Sequence, residues 1–237
     1  PLVVQPVPEI ELYGDELICS NNPLFTKEIS AGLLDETTVS NYTYQWFLNN
    51  NQIIGETNYT LTVNTEGIYT VEVTNSNGCV RTRTITVTAS NIATIENVQV
   101  VDLSDENFVT VLVTGLGDYE YSLDNEYWQT SNVFSNIEAG IYTVYVKDLN
   151  GCGIATEEIS VLGIPNYFTP NGDGYNDYWN IDGINSLFNG ESIIYIFDRY
   201  GKLINQVNPL SQGWDGTFNG NQMPSSDYWY SVQLEDG

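Results

Sequence analysis

The sequence has no histidine and only 6 lysines and arginines, against 31 aspartates and glutamates, so its formal net charge is -25. Without histidine, histidine-based catalytic triads and the commonest metal-ligand sets are excluded. The scarcity of positive charge argues against nucleic acid or an anionic membrane surface as a partner, because like charges repel. A phosphate-binding glycine loop followed by lysine and a nucleophile elbow are also missing. Two-carboxylate glycosidase chemistry stays open by residue type, because carboxylates are plentiful, but it also needs a deep cleft. We therefore predict a protein that is not an enzyme.

Long hydrophobic runs are missing as well. The sequence contains no apolar stretch that approaches the roughly 18 residues expected of a transmembrane helix. Its opening segment, PLVVQPVPEI, has neither the basic region nor the apolar region of a signal peptide. We therefore expect no transmembrane segment and no signal peptide within this stretch of chain.

An internal repeat divides the chain. Residues 66–79, which run from EGIYTVEV to NGC, return at residues 139–152 as AGIYTVYV to NGC. In each copy the alternation of apolar residues is typical of a half-buried strand, and the Asn-Gly pair is typical of a hairpin turn. About seven short strands within about 90 residues predict a β-sandwich.

The predicted fold is therefore all-β, with tandem small β-sandwich modules followed by a carboxyl-terminal β-sandwich domain. In the third segment, an apolar strand over residues 192–198 is predicted to pair back on residues 203–207, and a further strand is expected over residues 228–234. The predicted domains are residues 1–89, residues 90–162 and residues 163–237.

Three cysteines allow one disulfide and one remaining thiol. Cys19 and Cys79 bracket the first module, with Trp46 between them. This order resembles the immunoglobulin arrangement, in which a core tryptophan lies beside an intersheet disulfide. We therefore predict a Cys19–Cys79 disulfide, formed in an oxidising compartment, and a buried thiol at Cys152. The two upstream modules are expected to be Ig-like or polycystic-kidney-disease-like, with their exact topology open.

The second module contains the aromatic run YSLDNEYWQ at residues 121–129. This run resembles a hairpin of adhesin-type repeats in Bacteroidota, with Asn125 where glycine is usual. Its rings form either the hydrophobic face of a hairpin or a platform for a sugar. The sequence leaves both interpretations open.

A glycine-rich acidic loop occurs in the third module, within FTPNGDGYNDYW. Its candidate ligands for a hard cation occupy positions 1, 3, 5, 7 and 12 of a calcium-type loop, and the intervening glycines allow the backbone to curl. The alternative is a solvated Asn/Gly/Asp turn. The candidate Ca²⁺ ligands are Asn171, Asp173, Tyr175, Asp177 and Asp182.

The motifs FTPNGDGYNDYW, IDG, IIYIFDRYGKLI and GWDGTFNG occur in this order between residues 162 and 237. Together they resemble the gliding-motility-associated C-terminal domain, the type B sorting domain of the type IX secretion system of Bacteroidota. The resemblance implies export by the type IX machinery and a PorP/SprF-like outer-membrane protein as partner. Members usually continue with another strand that carries basic residues, so the last strand is expected to be missing here.

The same resemblance implies that the chain is the carboxyl-terminal fragment of a longer secreted, cell-surface precursor. The third module is then expected to direct secretion and surface attachment, with the two upstream modules as a stalk. The alternative is an adhesin fragment whose Ig-like modules bind glycan or protein ligands. Tyr167, Phe168 and Trp179 flank the acidic loop, where they serve either as recognition groups or as buried packing.

Overall fold

The computed structural model describes residues 5–22, 24–104 and 106–235, and it confirms the all-β prediction. The described residues contain one short 3-10 helix, at Glu36–Asn41. The chain divides into two compact units. The first consists of residues 1–94, 114–119 and 147–155, and the second of residues 95–113, 120–146 and 156–237. The three predicted domain ranges stay a prediction.

The first module folds as a sandwich of two sheets. One sheet has the strand order β1-β7-β6-β3-β4, in which β1 and β7 run parallel, and the other pairs β2 with β5. Trp46 and Val71 from the first sheet and Leu61 from the second are buried in one core. The strands are β1 (Tyr13–Cys19), β2 (Lys27–Ser30), β3 (Tyr42–Leu48), β4 (Asn51–Gln52), β5 (Thr60–Val63), β6 (Gly67–Asn75) and β7 (Val80–Ser90).

This strand order is that of an immunoglobulin domain, so the structure supplies the topology that the sequence left open. Trp46 is fully buried on the third strand, and its indole N–H donates to the carbonyl of Asn58 at 2.9 Å. The hydroxyl of Tyr69 donates to the carbonyl of Thr65 at 3.0 Å, which is the tyrosine corner of such domains.

The second module uses six strands in two three-stranded sheets, with the orders β10-β12-β13 and β11-β9-β8. Tyr142 repeats the tyrosine corner, because its hydroxyl donates to the carbonyl of Glu138 at 2.9 Å. Val144 and Val146 are fully buried. The strands are β8 (Thr94–Val101), β9 (Phe108–Thr114), β10 (Tyr119–Ser122), β11 (Val133–Ser135), β12 (Gly140–Asp148) and β13 (Ile154–Val161).

The predicted Cys19–Cys79 disulfide is wrong. The structure bonds Cys19 to Cys152, with Cα atoms 5.4 Å apart, and leaves Cys79 as a free thiol. Cys19 pairs with Ser90 at the end of β7, whereas Cys79 precedes the first residue of β7. The 11 residues of β7 separate its ends by roughly 30 Å, far beyond the reach of a disulfide.

Hydrogen bonds hold the turn that carries Cys152 against the end of β7. The side chain of Asp148 is buried, and it accepts from the Ser90 hydroxyl at 2.9 Å and from the backbone N–H of Cys152 at 3.0 Å. Asn75 makes the same turn in the first module by accepting from the N–H of Cys79 at 3.0 Å. The repeated turn therefore carries a bonded cysteine in one copy and a free cysteine in the other.

The third module combines a three-stranded sheet, in the order β15-β14-β18, with the two-stranded hairpin of β16 and β17. Ile194 and Ile196 on the central strand are buried, and Trp179 and Trp214 from loops pack into the same core. The strands are β14 (Ile193–Phe197), β15 (Leu203–Val207), β16 (Thr217–Phe218), β17 (Asn221–Gln222) and β18 (Trp229–Gln233). The expected absence of a last strand concerns the chain from residue 236 onward, which lies outside the described residues, so it stays a prediction.

Candidate functional site

The acidic loop of the third module closes on its own backbone. One carboxylate oxygen of Asp177 accepts from the N–H of Asn171 at 3.0 Å and of Gly172 at 2.6 Å, and the other accepts from Gly174 at 2.7 Å. Gly172 and Gly174 have φ angles of 77° and 89°, which suit glycine. Asp173 accepts from the N–H of Tyr175 at 2.8 Å. The loop is therefore a series of side-chain-capped turns.

These hydrogen bonds hold the pKa of Asp177 below its ordinary value, and the bonds from Gly172 and Gly174 are the main causes. Because Asp177 ionises more readily in the folded state, its carboxylate adds to the free energy of unfolding. This contribution is fully present above the unfolded-state pKa of about 3.8, and it is lost as the pH falls through the folded-state pKa. The ionised form of Asp177 therefore favours the closed loop at neutral pH.

Asp177→Asn is expected to lower the melting temperature at pH 7 and to flatten the loss of stability below about pH 4. The amide cannot reproduce the charged acceptor that three N–H groups share. Thermal unfolding of both proteins from pH 7 to pH 3 measures the effect. Asp227→Asn, at an exposed aspartate in the same module, is the control. If the melting temperatures of Asp177→Asn and of the native protein fell in parallel from pH 7 to pH 3, the stabilising role of the Asp177 carboxylate would be contradicted.

Four of the five predicted calcium ligands lie in the acidic loop, and Asp182 follows it in the sequence. The oxygens of Asn171, Asp173 and Asp177 are engaged by groups of the loop itself. Asp182 instead exchanges backbone hydrogen bonds with Gly163, and desolvation raises the pKa of its carboxyl group. Over the described part of the chain, no three Asp, Glu or Cys side chains group closely enough to hold a metal. Calcium binding at this loop stays a prediction.

Melting curves in calcium and in chelator test that prediction. A calcium site in this loop raises the melting temperature as free Ca²⁺ increases, because a ligand that binds only the folded state stabilises it. Asp173→Asn should abolish the increase. An identical melting temperature in both conditions would show that the carboxylates act only as caps.

The three predicted recognition aromatics have different environments. Trp179 is buried, its indole N–H donates to the carbonyl of Pro165 at 2.8 Å, and its backbone exchanges two 2.9 Å hydrogen bonds with Trp214. Phe168 is half-buried, with its ring centroid 5.3 Å from that of Trp214. Tyr167 is 71% exposed. Trp179 therefore belongs to the core, and Tyr167 is the member of the trio that is available for contact.

A cavity of about 950 Å³ lies beside these residues, between the segment 162–171 and the segment 222–230. Two aromatic pairs line it: the rings of Tyr230 and Trp179 are tilted to each other with centroids 5.2 Å apart, and Tyr228 meets Trp214 edge to face at 5.0 Å. The sequence predicts a strand over residues 228–234 but does not connect it with the acidic loop. The available signal was the run of three consecutive aromatic residues, YWY, at residues 228–230.

A second cavity of about 550 Å³ occurs in the aromatic hairpin of the second module. Tyr121 is buried and pairs with Gln129 through backbone hydrogen bonds of 2.8 and 3.0 Å, whereas Tyr127 is 80% exposed at the cavity. Asn125 adopts a φ of 62°, the conformation that glycine favours. One aromatic ring of this hairpin therefore contributes to the core and another faces the solvent.

Comparison with known proteins locates a family at the carboxyl end. Residues 162–237 match the family model of the CHU_C Type IX secretion signal domain. The match supports a secreted protein that interacts with the type IX secretion machinery, and it covers the acidic loop, the aromatic core and β14 to β18. No curated protein matches the chain. The described residues contain no helix that is both long and apolar enough to span a membrane.

Solved structures with a similar fold are multidomain immunoglobulin proteins. Hemolin, an insect immune protein, has 16% identity and a TM-score of 0.37 over 66% of this chain and 46% of its own. Sidekick-1 immunoglobulin domains 1–5 have 9% identity and a TM-score of 0.46, and the match covers 97% of this chain and 58% of theirs. Titin domains I67–I69 have 11% identity and a TM-score of 0.43, and the match covers 97% of this chain and 89% of theirs. The chain spans about half the length of the first two.

Proposed function

We propose that residues 162–237 direct the protein through the type IX secretion system and attach it to the cell surface, without catalytic activity in this part of the chain. The observation that carries the proposal is the match of these residues to a type IX secretion signal domain. A PorP/SprF-like outer-membrane protein of a Bacteroidota cell is the proposed partner. The upstream Ig-like modules serve as a stalk between this signal and the rest of a larger gliding or adhesion protein.

The properties of the upstream modules support the stalk role. Each repeat has its own buried core and its own tyrosine corner, and the disulfide between Cys19 and Cys152 adds a covalent link. Such cross-links persist in oxidising compartments, which agrees with export from the cytoplasm. The excess of acidic side chains favours solubility through repulsion between molecules.

Deletion of residues 162–237 from the native gene tests the sorting role in a host with a working type IX system. The shortened protein is expected to stay in the periplasm, because the signal that the machinery recognises is gone. A matched deletion of residues 5–89 removes much of the stalk and should leave export intact. Surface exposure of the protein that lacks residues 162–237 would refute the sorting role.

Adhesion by the second module is a second candidate, favoured by the exposed ring of Tyr127 beside its 550 Å³ cavity. Exposed aromatic rings offer an apolar face on which a sugar packs. If the module binds glycans, Tyr127→Ala in the full chain abolishes binding on a glycan array. Tyr200→Ala, at a tyrosine that is 81% exposed elsewhere, leaves binding unchanged. An array with no signal for the native chain would exclude this function.

A further inference from the structure

The cavity at the aromatic hairpin of the second module combines rings with carboxylates. Tyr127, Phe134 and Tyr142 contribute aromatic rings to its lining, and Asp124 and Glu138 contribute carboxylates. The ring of Tyr127 is exposed, whereas those of Phe134 and Tyr142 are half-buried. The volume of about 550 Å³ lies within the range of small-molecule sites. A ligand in this cavity therefore meets apolar ring faces and negative charge together.

A capped turn positions Asp124 and Tyr127 at the cavity. One carboxylate oxygen of Asp124, Oδ1, accepts from the Ser122 hydroxyl at 2.9 Å and from the backbone N–H groups of Glu126 and Tyr127, each at 2.8 Å. The bonds from Tyr127 and Glu126 hold the pKa of Asp124 below its ordinary value. No described protein group donates to the other oxygen, Oδ2. The turn thus holds an ionised carboxylate beside an exposed ring and leaves one oxygen for a ligand.

Glu138 brings a second negative charge to the cavity. Burial raises the pKa of the Tyr142 hydroxyl and the charge of Glu138 raises it further, so this carboxylate lies near the Tyr142 ring. The Glu138 side chain is exposed, and no described residue forms an ion pair with it. Lys147 is the one lysine or arginine between residues 90 and 162. The module itself therefore offers little positive charge to balance the two carboxylates.

Charge complementarity favours a cationic ligand. Carboxylates attract a cation, and the faces of aromatic rings attract it as well. A neutral ligand removes water from the carboxylates without supplying an opposite charge, which costs free energy. An acidic ligand is repelled by the cavity and by the net charge of -25. The cavity is therefore suited to a ligand that carries ammonium groups.

The other lining groups favour a sugar over a basic peptide. The exposed ring of Tyr127 offers a flat apolar face on which the C–H groups of a pyranose ring pack. Asn136 also lines the cavity and is exposed, and its amide can both donate to and accept from hydroxyl groups. A lysine side chain uses the charge of the site but neither the flat face nor the amide.

We propose that this cavity binds an amino sugar whose amines are free and protonated. The sugar ring packs on Tyr127, an ammonium group pairs with Asp124 Oδ2 and the Glu138 carboxylate, and the hydroxyl groups bond to Asn136. This inference rests on the glycan-binding function given above as the second candidate, and it specifies the class of glycan.

Calorimetric titration of the full chain tests the ligand class. The three probes are a β-1,4-linked glucosamine tetramer, its fully N-acetylated form and the neutral glucose tetramer with the same linkage, at low salt and at a mildly acidic pH that keeps the amines protonated. The glucosamine tetramer is expected to bind at least about tenfold more tightly than either neutral sugar, because only its ammonium groups form charge-assisted hydrogen bonds with the carboxylates.

Three variants locate the binding. Tyr127→Ala should weaken binding of the glucosamine tetramer at least about tenfold, through loss of the ring face. Glu138→Gln should weaken it several-fold and reduce the preference over the N-acetylated tetramer. Glu157→Gln, at an exposed glutamate of the same module outside the cavity, is the matched control and should leave binding unchanged.

Four results would overturn the inference. Equal binding of the three sugars would leave glycan adhesion intact but remove the preference for amino sugars. Equal losses in Glu138→Gln and Glu157→Gln, or a tetralysine peptide that binds as tightly as the glucosamine tetramer, would reduce the interaction to general attraction of cations. No binding of the glucosamine tetramer at millimolar concentration would overturn the inference as well, and the glycan array described above then decides separately whether the module binds any glycan.

Discussion

Cys152→Ser is expected to lower the free energy of unfolding by about 3–5 kcal/mol, because it removes a disulfide that closes a loop with a sequence separation of 133 residues. The stabilisation comes mainly from the restricted unfolded chain and increases with loop length. Denaturant unfolding without reductant, followed by tryptophan fluorescence, measures the change. Trp46 lies in the core of the first module and provides one of the signals.

Cys79→Ser is the matched control, since Cys79 is free and should contribute little to stability. Peptide mapping under non-reducing conditions adds an independent measurement. The expected cross-linked fragment joins the peptides of Cys19 and Cys152, with Cys79 as the residue that a thiol reagent labels. A cross-linked fragment of Cys19 and Cys79, or equal destabilisation by both variants, would contradict the pairing.

Trp214→Ala is expected to destabilise the third module by about 3–5 kcal/mol, as large-to-small changes at buried aromatic positions do. Trp214 is 2% exposed, packs between Phe168 and Tyr228, and donates its indole N–H to the carbonyl of Thr217 at 2.8 Å. Its loss leaves a void and removes this hydrogen bond. Because the segment 162–171 packs on the same core, the whole secretion-signal region should become sensitive to protease.

Tyr200→Ala, at an exposed tyrosine of the same module, is the control for Trp214→Ala and should change stability by less than about 0.5 kcal/mol. Chemical denaturation and limited proteolysis measure both variants. Trp214→Ala is also expected to reduce export, since a folded signal is what the machinery is proposed to recognise. Stability close to that of the native protein would mean that the aromatic cluster does not hold the module together.

The strands and the repeat were predictable because the signals are local. Alternating apolar residues and Asn-Gly turns indicated β6 and β12 directly, and the structure gives both the same tyrosine corner. The disulfide was not predictable in this way. It depends on the parallel pairing of β1 with β7, which places Cys19 at the far end of β7 from Cys79. No pattern within β1 specifies its partner strand.

The candidate site was predictable only in part, for a related reason. Spacing placed Asn171, Asp173 and Asp177 in one loop, but the same spacing serves turns in which side-chain oxygens cap backbone N–H groups. Hydrophobicity did not separate exposed Tyr167 from buried Trp179, because burial depends on the pairing of Trp179 with Trp214.

The most direct test of the sorting function fuses the segment from residue 162 to the native carboxyl terminus behind a periplasm-directed fluorescent passenger. The fusion is expressed in a type IX-competent host and in a matched host that lacks the system, and surface and medium fluorescence are measured. We predict export in the competent host, periplasmic retention in the deficient one, and reduced export of the Trp214→Ala fusion. Retention of a folded fusion in the competent host, beside a control passenger that is exported, would contradict the sorting function.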